Sequence, residues 1–122
     1  MITRKFNLEV YNGWIVVIQT DDIEKVGLKY GFDSSCCDAI VFKRPLPNGV
    51  RRYIFAYEGT AQPHIIAHEV VHLVNYVFKD MGIYLDLDND EPQAYFTGWL
   101  TKRINETINK IEKCLQKSSK EN

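Results

Sequence analysis

Residues 63–80 have the sequence PHIIAHEVVHLVNYVFKD, and this stretch decides the fold that we predict. Its apolar side chains recur every three or four residues, which is the period of an α-helix. Pro63 suits the first turn of such a helix and Gly82 suits the position after its end. Because apolar side chains cover most of the helix, we expect it to be buried, so each polar side chain on it needs a partner or a function. These polar residues are His64, His68, Glu69, His72 and Asn75.

The sequence before this helix has the two-residue period of β-strands. Four strands are predicted, at residues 6–10, 14–18, 39–42 and 52–57. Asn12-Gly13 lies between the first two strands and predicts a two-residue type I′ hairpin turn. A short helix that Asp21-Asp22 caps and Gly31 ends is predicted between the second and third strands.

A second long helix is predicted from Glu91 or Pro92 to Gln116, with an apolar stripe at helical spacing. Residues 118–122 are expected to form a disordered polar tail. A strand-rich half followed by a helical half predicts an α+β fold, in which a small antiparallel or mixed sheet of about four strands packs on the two long helices. A chain of 122 residues suits one domain, which we place at residues 1–117.

The charge of the chain excludes a general nucleic-acid binder. The formal net charge is −1, whereas such proteins carry a strongly basic surface. Residues 101–122 contain six Lys or Arg and three acidic residues, an excess too small for much phosphate affinity. Nucleic acid is therefore not an expected partner.

Targeting signals and cysteines predict a cytoplasmic protein. The N-terminal residues contain no apolar run of a signal peptide, and the longest apolar stretch, residues 14–18, is far short of the ~20 residues that span a membrane. The three cysteines, Cys36, Cys37 and Cys114, are too few and too unevenly spaced for a disulfide framework, so free thiols in a reducing compartment are expected. The adjacent pair Cys36 and Cys37 is a weak candidate for a metal site, because neighbouring residues chelate one tetrahedral ion poorly.

The central helix contains the motif His68-Glu69-Val70-Val71-His72. Residues four apart on a helix differ by about 40° in direction and about 6 Å in height, so both imidazoles point off the same face. They can then bind one zinc ion at Zn–N distances of about 2.0–2.1 Å. Glu69 lies beside that face, where it can take a proton from a water whose pKa the metal lowers to roughly 7.

A catalytic zinc site needs a third protein ligand and one open position. No histidine follows His72 in the sequence, and His64 lies about 12 Å from His72 along a straight helix, too far to share the ion. His64 is either a polar residue near the helix start or a contact for substrate or oxyanion. A carboxylate at the start of the second helix is left as the third ligand. Glu91 is the first choice and Asp90 is the alternative.

The spacing His68-Glu-x-x-His72 followed nineteen residues later by Glu91 resembles the gluzincin metallopeptidases. The segment 89–100, NDEPQAYFTGWL, resembles small phage-encoded metallopeptidases of the minimal-zincin type. The resemblance covers residues 51–100 and implies a zincin-like fold with zinc held by His68, His72 and Glu91, and with Glu69 as general base and acid. In that family an aspartate four residues after the ligand glutamate orients a ligand histidine, whereas this chain has Tyr95 there. The Tyr95 phenol is expected to orient a ligand, to steady the oxyanion or to pack in the core.

The function that this resemblance implies is zinc-dependent hydrolysis of peptide bonds. In zincin-like folds the substrate backbone joins an exposed edge strand, and the strand from Tyr53 to Tyr57 is the candidate, unless it is a central strand. The alternatives are a zinc hydrolase of another amide or ester, and a metal-binding regulatory or interaction module without turnover. Because 122 residues leave no room for a second cleft-forming domain, either the second helix and the loops form a shallow cleft alone, or a partner or a second copy of the chain completes it. A phage-encoded chain of this kind would act in the host cytoplasm.

Overall fold

A computed structural model describes residues 1–33 and 38–121 of the chain. This part of the chain contains four strands and three α-helices, with a short 3-10 turn at Glu9–Tyr11. The elements are β1 Ile2–Asn7, β2 Trp14–Thr20, α1 Ile23–Tyr30, β3 Ala39–Lys43, β4 Arg52–Glu58, α2 Pro63–Met81 and α3 Glu91–Glu121. The hypothesis of a metal site at Cys36 and Cys37 lies outside the described residues. None of the helices within these ranges is long and apolar enough to cross a membrane.

The strands form one mixed sheet in the order β1-β2-β4-β3. β2 and β4 pair in parallel, and the two outer strands pair antiparallel with their neighbours. This architecture confirms the predicted α+β class with a four-stranded mixed sheet. The prediction that the strand from Tyr53 to Tyr57 lies at an edge is wrong, because β2 and β3 pair with its two sides. Residues 53–57 are apolar on both faces and at most 1% exposed, which is the pattern of a strand that is covered in every direction.

Helices cover both faces of the sheet. On one face, Tyr53 and Phe55 of β4 pack with Leu73 of α2 and Leu100 of α3 in the larger core. On the opposite face, Ile54 and its neighbours pack with α1 in a smaller core. The side chains of a strand alternate between faces, so β4 contributes to both cores at once.

Helix α2 lies on the surface of the sheet and is buried along one side only. Its opposite side is exposed, with Val71 at 50% and Tyr76 at 37% exposure. The expectation that the helix is buried all round is therefore wrong. The described chain has a single layer of helices on this face of the sheet. The sheet and α3 therefore bury only one side of α2, and apolar residues on its other side stay exposed to solvent.

Two further predictions fail at element ends. Strand β1 ends at Asn7, and residues 8–13 connect it to β2, so the antiparallel pair is present but the two-residue turn is not. The Asn7 side chain accepts a hydrogen bond from the Glu9 N–H at 2.6 Å, and Leu8 turns inward with 1% exposure. At the other end, α3 continues through Glu121, so the tail predicted at residues 118–122 is helical as far as the structure describes it.

Asp80, near the end of α2, ties this helix to the sheet. The Tyr53 hydroxyl donates to one oxygen of its carboxylate, and the Lys43 ammonium lies 2.5 Å from the other. Burial alone would raise the pKa of the Asp80 carboxyl. The hydrogen bonds from Lys43 and Tyr53, together with the nearby positive charges, lower it by more than burial raises it, so the pKa lies below its ordinary value. Burial also raises the pKa of Tyr53, and the bond to Asp80 acts in the same direction.

We expect Asp80→Ala to destabilise the fold by about 1–3 kcal/mol, because the buried Tyr53 hydroxyl loses its acceptor. Because the folded pKa of Asp80 is depressed, its stabilisation is present above the unfolded value of about 3.9 and is lost as the pH falls towards the folded value. The free energy of unfolding of Asp80→Asn should therefore fall less between pH 7 and pH 3 than that of the parent chain. Urea unfolding at pH 7 and pH 3 measures both effects, with the exposed Asp21→Asn as control. Equal acid sensitivity of Asp80→Asn and the parent chain would contradict this role.

Candidate functional site

His68 and His72 lie one turn apart on the exposed side of α2. Their Nε2 atoms are 3.2 Å apart, and their ring centroids are 4.9 Å apart. Both side chains are exposed, and 66% of the His68 side chain is accessible. The helix period alone therefore brings two imidazole nitrogens to one point on the surface, as the sequence predicts.

The separation of these nitrogens fits a shared zinc ion. Two ligands at Zn–N distances of about 2.0–2.1 Å from one tetrahedral ion lie about 3.3–3.4 Å apart. The observed 3.2 Å is close to that spacing, and imidazole nitrogen is a preferred zinc ligand. The spacing of the two nitrogens is therefore compatible with their binding one ion.

Glu69 lies beside the two imidazoles, on the side of α2 that meets the sheet. It is the only charged residue of α2 that is buried, with 8% exposure, and its Oε1 lies 4.0 Å from His68 Nε2. Burial raises the pKa of its carboxyl, and the charges of His68 and His72 and the hydrogen bond from the Val41 N–H offset only part of this rise. The result is a carboxylate with a raised proton affinity directly beside the histidine pair.

The contact with Val41 shows that the site opens onto an edge of the sheet. Val41 lies in the middle of β3, which pairs with β4 on one side only. Its N–H reaches Glu69, so the outer side of β3 faces the motif. Sequence reasoning placed an edge strand at β4, whereas the edge strand beside the motif is β3. Sequence reasoning missed Val41 because only the strand order reveals that it lies beside α2.

Helices α2 and α3 run antiparallel. The rings of Phe78 and Phe96 stack with centroids 5.6 Å apart, near the end of α2 and the start of α3. Farther along α3, Glu112 accepts a hydrogen bond from the hydroxyl of Tyr57, which precedes α2. The start of α3 therefore lies beside the end of α2, and a later part of α3 lies level with the motif along the helix axes.

This arrangement separates Glu91 from the histidine pair. Counted from the stacked rings at a rise of 1.5 Å per residue, Glu91 lies about 16 Å from His72 along the helix axes. Glu91 is exposed at the first position of α3. Asp90 directly precedes it, and the Asp90 carbonyl accepts a hydrogen bond from the Ala94 N–H in the first turn of the helix. Within residues 1–33 and 38–121, no three His, Cys, Asp or Glu side chains form a group that could hold a metal. The structure brings His68, Glu69 and His72 together, and the third ligand stays a prediction.

Tyr95 and His64 lie outside the histidine pair. Tyr95 is 77% exposed, so the alternative that its ring packs in the core is wrong. Over the described ranges it makes no hydrogen bond or ring contact with His68 or His72, and it lines a cavity of about 270 Å³ next to Trp99. Its catalytic role stays a prediction. His64 is exposed at the second position of α2, which confirms a polar residue near the helix start.

A groove begins one turn beyond His72. It has a volume of about 450 Å³ and is lined by Asn75, Phe78, Lys79, Gly82, Ile83, Tyr84 and Leu85. Asn75 and Lys79 belong to the exposed side of α2, and the other wall comes from the chain that leaves the helix. Sequence reasoning missed this groove, because the exposed apolar residues after Gly82 have no periodic pattern. The motif therefore has an open groove next to it.

Comparison of the chain with models of protein families, with curated proteins and with solved structures finds no match. The functional assignment therefore depends on the chemistry of the histidine pair and Glu69.

From this geometry we expect Glu91→Ala to leave the zinc affinity within about threefold of the parent chain, because removing a group so far from the ion changes little. Asp90→Ala is the matched control at the neighbouring carboxylate. Zinc affinity measured by competition with a coloured chelator decides the point. A large loss in Glu91→Ala and none in Asp90→Ala would show that the start of α3 approaches the histidines and supplies the third ligand, as the sequence resemblance implies.

Proposed function

We propose that the chain is a zinc-dependent peptidase of zincin type. The observation that carries this proposal is the convergence of His68 Nε2 and His72 Nε2 at 3.2 Å, beside the buried carboxylate of Glu69. When bound, zinc supplies Lewis acidity, which polarises a carbonyl oxygen and brings the pKa of water near 7. The order of a sheet, the motif helix and a second long helix supports the zincin-type assignment.

Glu69 acts as the proton carrier in the proposed reaction. Its carboxylate takes a proton from the attacking water and delivers it to the nitrogen of the leaving amine. The raised pKa that burial gives Glu69 supports both halves of this role, since a weakly basic carboxylate would hold the proton poorly. The outer edge of β3 and the groove beyond His72 both lie near Glu69, and both offer room for a substrate.

The peptide substrate binds along the outer edge of β3 at the residues that flank Val41, because the Val41 N–H is already taken by Glu69. The position of the Val41 N–H supports this placement, because it faces Glu69 from the unpaired side of the strand. Main-chain hydrogen bonds would hold the peptide there, and the groove beyond His72 would receive one of its side chains. The backbone of the substrate then passes beside the histidine pair.

Cleavage of a peptide library by the purified chain tests the proposed function. We expect about one zinc ion per chain, cleavage that a chelator abolishes, and recovery when zinc is added back. A chain that cannot be loaded with zinc at neutral pH would overturn the metal site. Cleavage that persists in chelator would overturn the mechanism while leaving the metal site in place.

A metal-binding module without turnover is the second candidate function. Among the described residues no third His, Cys, Asp or Glu joins the histidine pair in a group that could hold a metal, and this observation supports the second candidate. A chain that binds zinc but cleaves no member of the library would support it. A second copy of the chain, or a partner that completes the coordination, would then appear as zinc-dependent association in sedimentation.

A further inference from the structure

A second pocket lies on the face of the sheet opposite α2 and α3. It has a volume of about 350 Å³ and is lined by Thr3, Arg4, Lys5, Trp14, Val16, Tyr30, Leu46 and Arg52. Its lining combines two aromatic rings with three basic residues and contains no Asp or Glu. The pocket shares no residue with the histidine site, so the two sites are separate features of the molecule.

The strand register explains why these side chains meet. Trp14 and Arg52 are directly paired at the starts of β2 and β4. Val16 and Ile54, two residues later, pack against α1, so Trp14 and Arg52 project from the same face as α1. Helix α1 ends at Tyr30 and leaves this end of the face uncovered. The pocket is therefore the part of the sheet that α1 is too short to cover.

The cations of the pocket lie over its aromatic rings. Lys5 Nζ is 4.8 Å from the centroid of Trp14, and the Arg52 guanidinium is 5.7 Å from the centroid of Tyr30. Arg52 Nε also donates to the Arg44 carbonyl at 2.8 Å, which fixes the guanidinium at the pocket wall. Both rings are partly exposed. These contacts place positive charge and open ring surface side by side.

The positive charge of the pocket has no carboxylate partner in the described chain. The ion pairs found within residues 1–33 and 38–121 join other residues, and neither Lys5 nor Arg52 belongs to one. The Arg4 guanidinium points to Cys114 on the other face, so Lys5 and Arg52 supply the charge. Residues 80–91, which are not part of the pocket, contain five of the sixteen Asp or Glu and no Lys or Arg. The near-zero net charge of the chain thus conceals a local anion-attracting surface.

We propose that this pocket binds a nucleoside phosphate, with the base against the Trp14 ring and the phosphate between Lys5 and Arg52. A flat base matches the indole, and stacking on aromatic side chains is how proteins hold bases without reading their sequence. A base that stacks on Trp14 takes the place of the Lys5 ammonium, which is then free to meet the phosphate. The ligand is either a free nucleotide or one unit of a single-stranded nucleic acid, since both offer the same two groups.

The fluorescence of Trp14 tests the proposal directly. The chain has two tryptophans, so Trp99→Phe leaves Trp14 as the only indole and Trp14→Phe leaves Trp99. We expect AMP or a ten-residue oligothymidylate to change the emission of the Trp99→Phe variant in a saturable way and to leave that of Trp14→Phe unchanged. Tighter binding of the oligonucleotide than of AMP assigns a single strand, and equal or weaker binding assigns a free nucleotide. No saturable change with either probe would overturn the proposal.

Charge variants in the Trp99→Phe background test the phosphate contact. Arg52→Ala and Lys5→Ala should each weaken binding by about tenfold, while Lys113→Ala, which removes an exposed lysine of α3, should have no effect. Lys5 is exposed, so its variant is expected to fold even where Arg52→Ala does not. Binding should persist in chelator and in His68→Ala. Inorganic phosphate that competes as well as AMP, or equal affinities in Lys5→Ala and Lys113→Ala, would contradict the pocket.

Discussion

Glu69→Gln is expected to retain zinc and to lose peptide hydrolysis, with kcat falling by at least about a hundredfold, the lower limit for the loss of a general base. Glutamine keeps the shape of the side chain, and its carbonyl can still accept the Val41 N–H, so the local structure should persist. The carbonyl cannot carry the proton from water to the leaving amine. Steady-state kinetics on a cleaved peptide, together with the zinc content of the same sample, measure the two effects separately.

Glu106→Gln is the matched control, because it makes the same chemical change on α3, where Glu106 pairs with Arg103 at the surface. That variant should keep full activity. Removing the buried charge of Glu69 also removes its desolvation cost, so we expect the Glu69→Gln protein to unfold at the same temperature or higher. Equal kcat values for Glu69→Gln and the parent chain would show that another group carries the proton.

His72→Ala is expected to have the second large effect, lowering the zinc affinity by more than about a hundredfold. Loss of a group that merely orients a ligand already costs about 10–100-fold, and loss of the ligand itself should cost more. His68→Ala should have the same effect, because the two nitrogens converge on one point. Both side chains are exposed, so neither change should unfold the protein.

His64→Ala is the control for the histidine variants. It lies one turn before His68 on the same helix and is also exposed, but the helix geometry places it too far from His72 to share the ion. Isothermal titration with zinc should find the parent affinity in His64→Ala. A similar loss of affinity in all three variants would indicate diffuse binding along the helix surface instead of one site.

The sequence predicts the elements whose signals are local. Helix α1 begins and ends as predicted, because the Asp22 side chain accepts the Glu24 N–H and Gly31 adopts a left-handed conformation with φ of 76°. The pair His68 and His72 is equally local, since the helix period fixes their relation. For such features the neighbouring residues contain all the information that the structure uses.

The features that the sequence does not predict depend on distant residues. β4 is interior only because β2 pairs with one side of it and β3 with the other, and no local pattern records that order. The distance between His72 and Glu91 has two causes. Helix α2 extends nine residues beyond His72, and the stacking of Phe78 on Phe96 places the start of α3 at that far end. A motif and its spacing therefore predict which residues are chemically suited, but helix length and packing determine which of them meet.

The contact between Glu69 and Val41 also bears on self-association. An unpaired strand is a template on which a strand of another molecule can extend the sheet, and proteins commonly protect such edges with charge. A foreign strand that pairs with the outer side of β3 would have to displace the Glu69 carboxylate and dehydrate it further. The buried charge of Glu69 thus disfavours edge-to-edge aggregation of the sheets of two molecules through β3. A neutral residue at this position would make β3 more prone to aggregation, even in a protein with greater thermal stability.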